Sequence, residues 1–270
     1  MQTQIGKVYL IGAGPGAKDL MTLRGAHILS KADIVFYDAL VEPTMLELCP
    51  QAKHEAVGKR CGKRSTAQKF IDKQLVDAAL KFKCVVRLKG GDPMIFGRAD
   101  EELTALKQAG IPVEIVPGVT SALAAAASIQ SSLTLRGVSR SVAFLTMSAA
   151  PSLTAIECPV QADTMIYYMG KKDSEQIADQ LIQQGLTPAT PVVVVESIST
   201  PRERVFYGRI SDLQNHVMQT WSQAEAPAIL MIGRSFEKAV ATEELKARLH
   251  GETDNGLENL IAFSDSRRTA

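Results

Sequence analysis

Short β-branched runs alternate along the chain with stretches in which apolar residues recur every three to four positions. Residues 8–11, 34–37, 84–89 and 113–116 read as buried strands. Helices are expected near 22–31 and over about 65–82, where Ile71, Leu75, Ala78 and Phe82 fall on one face suited to packing on a sheet. A further helix around Leu103 and Leu106 should stop at Gly110, whose missing Cβ suits a left-handed cap, with Pro112 just beyond. Strand–helix alternation of this kind implies a parallel sheet.

Pro117-Gly118 introduces an alanine-rich helix over 121–129, the hinge region between two lobes. A second series follows, with strands at 142–146, 165–168, 192–196, 205–207 and 228–233 and a helix over 174–184 capped by Gly185. The expected fold is therefore α/β with two α/β lobes, an N-terminal domain over 1–118 and a C-terminal domain over 119–245. Residues 246–270 are polar towards their end, and a partly disordered tail is expected.

Composition narrows the partners. The 270 residues are 46% hydrophobic, ample for a core of this kind, and 30 Lys and Arg nearly balance 29 Asp and Glu. No global field steers the chain to nucleic acid or to an anionic membrane, so an anionic ligand must be met locally. Cys49, Cys61, Cys84 and Cys158 are widely spaced, which argues against a disulfide framework and a thiolate zinc site. His27, His54, His216 and His250 lack ligand spacing, so no metal is expected. The chain reaches a strand without a charged-then-apolar leader, and no apolar run approaches the roughly 20 residues that span a bilayer. A cytoplasmic protein is expected.

Three glycine-containing loops fall at strand ends. Gly12-Ala13-Gly14-Pro15-Gly16-Ala17 follows the first strand, and Asp38 closes the second. Its spacing imitates a dinucleotide fingerprint, with an acidic residue about 20 positions on. Pro15, however, lacks an amide hydrogen and removes a donor from any phosphate cradle. Dinucleotide binding, another ligand and a structural tight turn all remain open on this loop alone. The second loop runs Lys89-Gly90-Gly91-Asp92-Pro93-Met94-Ile95-Phe96-Gly97-Arg98. Its adjacent glycines permit close backbone approach, and Asp92 suits ribose hydroxyls or an ammonium group, or else a solvated Asp-Pro turn. The third, Pro117-Gly118-Val119-Thr120-Ser121, offers hydroxyls at a helix start, where capping is the common role. Ligands in open parallel sheets sit beyond the carboxyl ends of strands, so the three loops outline one pocket.

The three loops and their spacing resemble those of the tetrapyrrole methylase family, the class III methyltransferases, over about residues 8–233. The most specific stretch is 86–121, which holds the double-glycine loop, Phe96-Gly97-Arg98, Glu101-Glu102 and Pro117-Gly118 in register. Within the family, Tyr37-Asp38, Val57-Gly58-Lys59-Arg60, Arg87-Leu88-Lys89-Gly90-Gly91-Asp92-Pro93, Thr134-Leu135-Arg136-Gly137 and Tyr168-Met169-Gly170 are similar to the uroporphyrinogen-III C-methyltransferases. The resemblance implies a transferase in porphyrin biosynthesis. It would methylate uroporphyrinogen III at C2 and C7, giving precorrin-2 by way of precorrin-1, for sirohaem, cobalamin or haem d1. S-adenosyl-L-methionine would be the cofactor, S-adenosyl-L-homocysteine its product, and a homodimer the assembly. By the same resemblance Pro15, Gly90, Gly91, Asp92, Ile95, Thr120, Ser121, Met169, Ile198 and Ala228 would contact the cofactor. Arg98, Glu101, Arg136 and Met169 would line the tetrapyrrole site, in a cleft between the lobes. The chain departs from the family in three places. Leu135 stands where most members carry His, Thr146-Met147-Ser148 replaces Thr-Gly-His, and Ser197-Ile198-Ser199 replaces Asn-Gly-Thr.

Methyl transfer from a sulfonium to a pyrrole carbon is an in-line displacement and asks mainly for alignment and exclusion of water. A bridge-carbon proton must then be lost to a base or to solvent. Asp38, Lys59 and Arg98 are the candidate catalytic groups. A guanidinium, with a pKa above about 12, suits a carboxylate anchor better than a base. Arg98 and Arg136 therefore match the acetates and propionates of such a substrate. The basic run 59–64 could add field at the mouth of the site, although a solvated basic loop is the commoner meaning of such a cluster. A methylase of another precorrin and a nicotinamide-dependent oxidoreductase are the alternatives. The weak net charge disfavours an RNA substrate.

Overall fold

The computed structural model describes residues 5–57, 64–147, 162–215 and 217–247. The chain divides into two compact units, Met1–Ser128 with Ser197–Arg204, and Ile129–Glu196 with Val205–Ala270. The alanine-rich helix at 121–128 belongs to the first, as does the short excursion at 197–204.

In the first unit the elements run β1 (Lys7–Gly12), α1 (Leu23–Leu29), β2 (Ile34–Tyr37), β3 (Lys53–Ala56), α2 (Arg64–Ala79), β4 (Cys84–Lys89), α3 (Ala99–Gln108), β5 (Val113–Val116) and α4 (Ser121–Ser128). The sheet order is β3-β2-β4-β1-β5 and its pairs are parallel. Both faces are covered, as an all-parallel sheet requires. Val8, Leu10, Ile34, Phe36 and Val85 pack with Ile71, Leu75 and Ala78 of α2 and Leu106 of α3. Ile11, Val35, Val86, Leu88 and Val116 face the opposite way, against Leu29 of α1 and Met45. The stripe expected on the 65–82 helix is thus the one buried, with Phe82 packed against the same cluster just past the helix end.

Two features escaped the hydrophobic pattern. β3 is polar, Lys53-His54-Glu55-Ala56, because it is the sheet edge and needs no apolar face; charged residues there also discourage pairing with another chain. The first glycine loop does not open directly into a helix. A single 3₁₀ turn at Lys18–Leu20 intervenes, and α1 starts only after Thr22, whose hydroxyl accepts from Gly25 N at 3.1 Å.

The second unit contains β6 (Val142–Thr146), β7 (Thr164–Tyr168), α5 (Ser174–Gln183), β8 (Pro191–Glu196), β9 (Arg204–Arg209), α6 (Ile210–Gln214), α7 (Val217–Trp221), β10 (Ala228–Gly233) and a helix, α8, over 237–247. Its sheet order is β6-β7-β10-β8-β9, and it is mixed: β6 and β7 are parallel, whereas β10 runs antiparallel to β7 and β8. Val192 to Val195 are wholly buried, so both faces of β8 are inside. Met165, Val192, Val194, Leu230 and Ile232 pack on Ile177 and Leu181 of α5, and Gly185 ends the segment with φ +96°. Among the described residues no helix is long and apolar enough to cross a membrane.

Candidate active site

The three loops of the first unit meet backbone to backbone. Gly91 N donates to Gly14 O at 2.7 Å and Gly14 N returns a bond to Gly91 O at 3.2 Å, which joins the first loop to the second. Asp92 joins the second to the third: its Oδ2 accepts from Gly118 N at 2.9 Å and its Oδ1 from Met94 N at 2.8 Å. A Cβ on Gly118 would stand 2.3 Å from Gly91 O, and one on Gly12 would stand 2.6 Å from Gly118 Cα. Only glycine allows this approach. Above Gly91, at φ +68°, a Cβ would instead enter open space bounded at 4.0 Å by Ser121 Oγ and Thr120 Cα. That is a cradle with backbone on one wall and hydroxyl-bearing residues on the other. Of the expected cofactor contacts, Gly90, Gly91, Asp92, Thr120 and Ser121 gather in these second and third loops. Ile95 lies on the second loop, and its N accepts a place in the turn by donating to Asp92 O at 3.3 Å.

Three of the first loop's amides are already engaged. Ala13 N donates to Lys89 O, Gly14 N to Gly91 O and Ala17 N to Ser199 Oγ. With Pro15 lacking an N–H and a 3₁₀ turn where a helix should start, the arc of donors that a pyrophosphate needs is not there. The strand order, with β4 between β2 and β1, also differs from that of the dinucleotide-binding fold. The oxidoreductase alternative fails on this geometry. Ile198 and the departure Ser197-Ile198-Ser199 belong to this same unit: Gly16 faces Ile198 O, and a Cβ there would meet it at 2.7 Å. Ser197 and Ser199 both have left-handed backbones, φ +50° and +57°. Ser199 uses its hydroxyl to hold the first loop.

Asp38 sits just past the end of β2, partly buried. Its Oδ1 accepts from Leu40 N at 3.0 Å, and its Oδ2 lies 3.6 Å from Arg87 Nη2. Arg87 is inside the protein and donates through Nε to Glu102 Oε1 at 3.0 Å, while Lys89 Nζ donates to Glu102 Oε2 at 2.9 Å. Burial, and then the neighbouring Arg87 guanidinium, push Lys89 below the usual lysine range. Arg98 is the left-handed residue that precedes α3, φ 55°. It grips Glu101 as a fork, Nε to Oε1 and Nη2 to Oε2, each 2.7 Å. The Glu101 hydrogen bond raises the Arg98 pKa further, and Arg98 in turn holds Glu101 below the usual carboxylate range. That moves Arg98 away from any role as a base. Lys59 and the basic run 59–63 lie outside the described residues. Cys49 is buried, its thiol pushed up to about 11 by desolvation, and so is no nucleophile.

The remaining expected residues lie in the second unit. Met169 follows β7 with φ +58° and is exposed. Ala228 opens β10, where the register sets Ile229 opposite Tyr168, so Met169 and Ala228 share one end of the sheet. Arg136 is exposed at the tip of a tight turn closed by Leu135 N to Ser139 O at 3.0 Å and Ser139 N to Leu135 O at 2.8 Å. Leu135, the departure from the usual histidine, is the hinge of that turn and 40% exposed. Thr146 ends β6, and Ser148 of the Thr146-Met147-Ser148 departure lies outside the described residues. Sequence reasoning passed over Arg87, Lys89 and Glu102 as individual residues. Their signal was three charges within the most specific stretch of the chain.

With this geometry in place, the chain belongs to the tetrapyrrole (corrin/porphyrin) methylases, whose family profile matches residues 7–214. It is 42% identical over 232 residues to a siroheme synthase of Zymomonas mobilis subsp. mobilis, covering 84% of this chain and 48% of the relative. A siroheme synthase of Pseudomonas fluorescens Pf0-1 is 41% identical over 232 residues, 84% of this chain and 50% of the relative. The chain spans about half the length of these curated relatives. Among solved structures, the uroporphyrin-III C-methyl transferase of Thermus thermophilus complexed with S-adenyl homocysteine is 35% identical. Its TM-score is 0.71, with 85% of this chain and 93% of that one covered. A cobalt precorrin-4 methyltransferase is 28% identical with a TM-score of 0.74, over 85% of this chain and 95% of that one.

Proposed function

We propose that this methylase transfers methyl groups from S-adenosylmethionine to C2 and C7 of uroporphyrinogen III, giving precorrin-2 through precorrin-1. The observation that carries the reading is the likeness to the Thermus uroporphyrin-III C-methyl transferase over 93% of that chain. The cradle at Gly91, walled by Thr120 and Ser121, supports a ligand without phosphates, bound largely through backbone atoms. S-adenosylmethionine supplies an electrophilic methyl on a sulfonium. The chain's own contribution is to align donor and acceptor and to exclude water. Gly90, Gly91, Thr120 and Ser121 hold the donor, and Asp92 keeps the second and third loops at the spacing this needs. Pro15, Ile95 and Ile198 complete the first unit's contacts, and Met169 and Ala228 those of the second.

Each methyl transfer leaves the ring cationic, and the bridge-carbon proton must then leave. Asp38 is the acceptor we favour, because a carboxylate at the carboxyl edge of the sheet can take a proton that a guanidinium cannot. Arg98 and Arg136 anchor substrate carboxylates, with Glu101 at hand to line the site. The fork by which Arg98 grips Glu101 is the one a propionate would use. Lys59, one of the candidate catalytic groups, would be the proton donor that the family resemblance implies. A homodimer in the cytoplasm, acting without nucleic acid or membrane, completes the proposal. It is supported by family likeness, the near-balanced charge and the scattered cysteines.

The test is Arg98→Ala. Turnover of uroporphyrinogen III should fall by at least about 100-fold, as loss of a bidentate anchor in a positioning-dependent reaction implies. S-adenosylhomocysteine affinity by calorimetry should stay within a few-fold. Near-normal turnover would remove Arg98 from the substrate site.

A further inference from the structure

Resting on that reading and deepening it, the buried charges behind Asp38 have a role of their own. Arg87, Lys89 and Glu102 are 4%, 3% and 0% exposed. Burying ions is seldom stabilising compared with packing apolar residues in the same volume, so stability alone does not explain three of them in one place. Their geometry is fully directed. Glu102 divides its two oxygens between Arg87 and Lys89. Arg87 Nη1 donates to Leu88 O at 2.9 Å, which fixes the guanidinium plane. Its Nη2 then faces Asp38 Oδ2 at 3.6 Å, while Leu40 N holds Asp38 Oδ1. Gln68 Nε2 lies 3.5 Å from Glu102 Oε1 and donates to Asp72 Oδ1 at 2.9 Å, bracing the cluster from α2. The stem of Lys89 runs beneath the second loop, where a Cβ on Gly97 would stand 3.1 Å from Lys89 Cε. Glu102 is also the sequence neighbour of Glu101, the partner of Arg98.

We infer that Arg87, locked in place by Glu102 and Lys89, is a positioning residue that orients the Asp38 carboxylate to receive the bridge-carbon proton after methyl transfer. In that step the S–CH₃ bond breaks and the pyrrole π electrons form the new C–CH₃ bond. The sulfonium becomes a neutral thioether and the ring carries the positive charge. The bridge C–H bond then breaks, its electron pair neutralises the ring, and the proton goes to an Asp38 oxygen. Arg87 touches none of the reacting atoms. It sets the rotamer of the carboxylate and, as a fixed cation, faces the anion that must persist until the proton arrives.

The experiment is a double-mutant cycle on the full chain, with anaerobic steady-state conversion of uroporphyrinogen III to its deprotonated methylated product as readout. Asp38→Asn should slow the reaction by about 100-fold, the scale of a lost general base. Arg87→Lys keeps a charge but loses the planar guanidinium that reaches Glu102, Leu88 O and Asp38 at once, and should lower kcat about tenfold while leaving KM for S-adenosylmethionine within about twofold. In the Asp38→Asn background, Arg87→Lys should cost less than about a further twofold, because the residue acts through the carboxylate already removed. Glu102→Gln should show the same loss of effect in that background and serves if Arg87→Lys folds poorly. Multiplicative effects, or an unchanged rate in either single variant, would overturn the inference while the parent's methyl transfer left the proposed function standing. A parent that binds S-adenosylhomocysteine yet methylates no uroporphyrinogen III would defeat both together.

Discussion

The two sheets are built from similarly apolar strands but distribute their ends differently. In the first unit the strand pairs are parallel, so β1, β2, β4 and β5 deliver their following loops to one edge. Gly12 to Ala17, Asp38, the double-glycine loop and Pro117-Gly118 all arrive there because the topology leaves them nowhere else to go. In the second unit β6, β7 and β8 run one way and β10 runs against them, so β10 begins at the edge where those three strands end. Met169 and Ala228 then meet as the end of one strand and the start of its neighbour. The cores differ too. β4 carries Arg87 and Lys89 inward onto Glu102, whereas the inner residues of β8 are four consecutive valines. The mixed sheet buries charge as well, since Glu196 ends β8 at 0% exposure and accepts from Lys171 Nζ at 3.2 Å, but there a single ion pair stands where the parallel sheet has three interlocked ions.

The largest effect should come from breaking the buried charge cluster. Glu102→Ala leaves Arg87 and Lys89 unpaired inside the protein and should cost about 3–5 kcal/mol in denaturant unfolding. Leu230→Ala, at a fully buried position of β10 in the second unit, should cost about 2–5 kcal/mol with S-adenosylhomocysteine affinity preserved in the folded fraction. Next comes Gly118→Ala, whose Cβ would stand 2.3 Å from Gly91 O. It should cost about 1–3 kcal/mol by overpacking, and because it pushes the second and third loops apart it should also weaken S-adenosylhomocysteine more than tenfold, roughly 1.4 kcal/mol of binding. Gly185→Ala in the second unit places a Cβ in open space at φ +96° and should cost roughly 1–2 kcal/mol without touching affinity. Equal losses of affinity for the two glycine variants would erase the contrast between the units. The smallest effect should be Asp77→Ala, which removes an exposed pair with Lys73 four residues earlier on α2, about 0.3–0.5 kcal/mol at low salt.

Much of this contrast was legible in the sequence, and the parts that were not have physical reasons. The strand at 192–196 announces itself because a strand buried on both faces reads as a continuous apolar run, and that at 84–89 by its β-branched Val85-Val86. The convergence of the three loops followed from the rule that ligands lie beyond the carboxyl ends of parallel strands, and the shared glycine contacts bear it out within the first unit. β3 was invisible because this edge strand, Lys53-His54-Glu55-Ala56, carries no apolar stripe, unlike the opposite edge strand β5. Strand direction in the second unit was equally hidden, since Ala228 to Gly233 has the same composition whichever way it runs. Glu102 was the hardest case. Asp100, Glu101 and Glu102 together look like a first turn complementing the helix dipole, and only the helical rotation between neighbours turns Glu101 outward to Arg98 and Glu102 into the core. Asp92 was legible as a loop carboxylate, but not as a tie between two loops, because its partner lies 26 residues away.

The central claim is the methyl acceptor, and the most direct measurement is anaerobic incubation of the purified protein with enzymatically generated uroporphyrinogen III and methyl-labelled S-adenosylmethionine, followed by the label and the mass of the oxidised tetrapyrrole. Two labelled methyl groups per tetrapyrrole are expected, with a singly methylated species appearing first. Tight binding of S-adenosylhomocysteine with no label on this tetrapyrrole would contradict the claim and assign the chain to another acceptor within the methylase family.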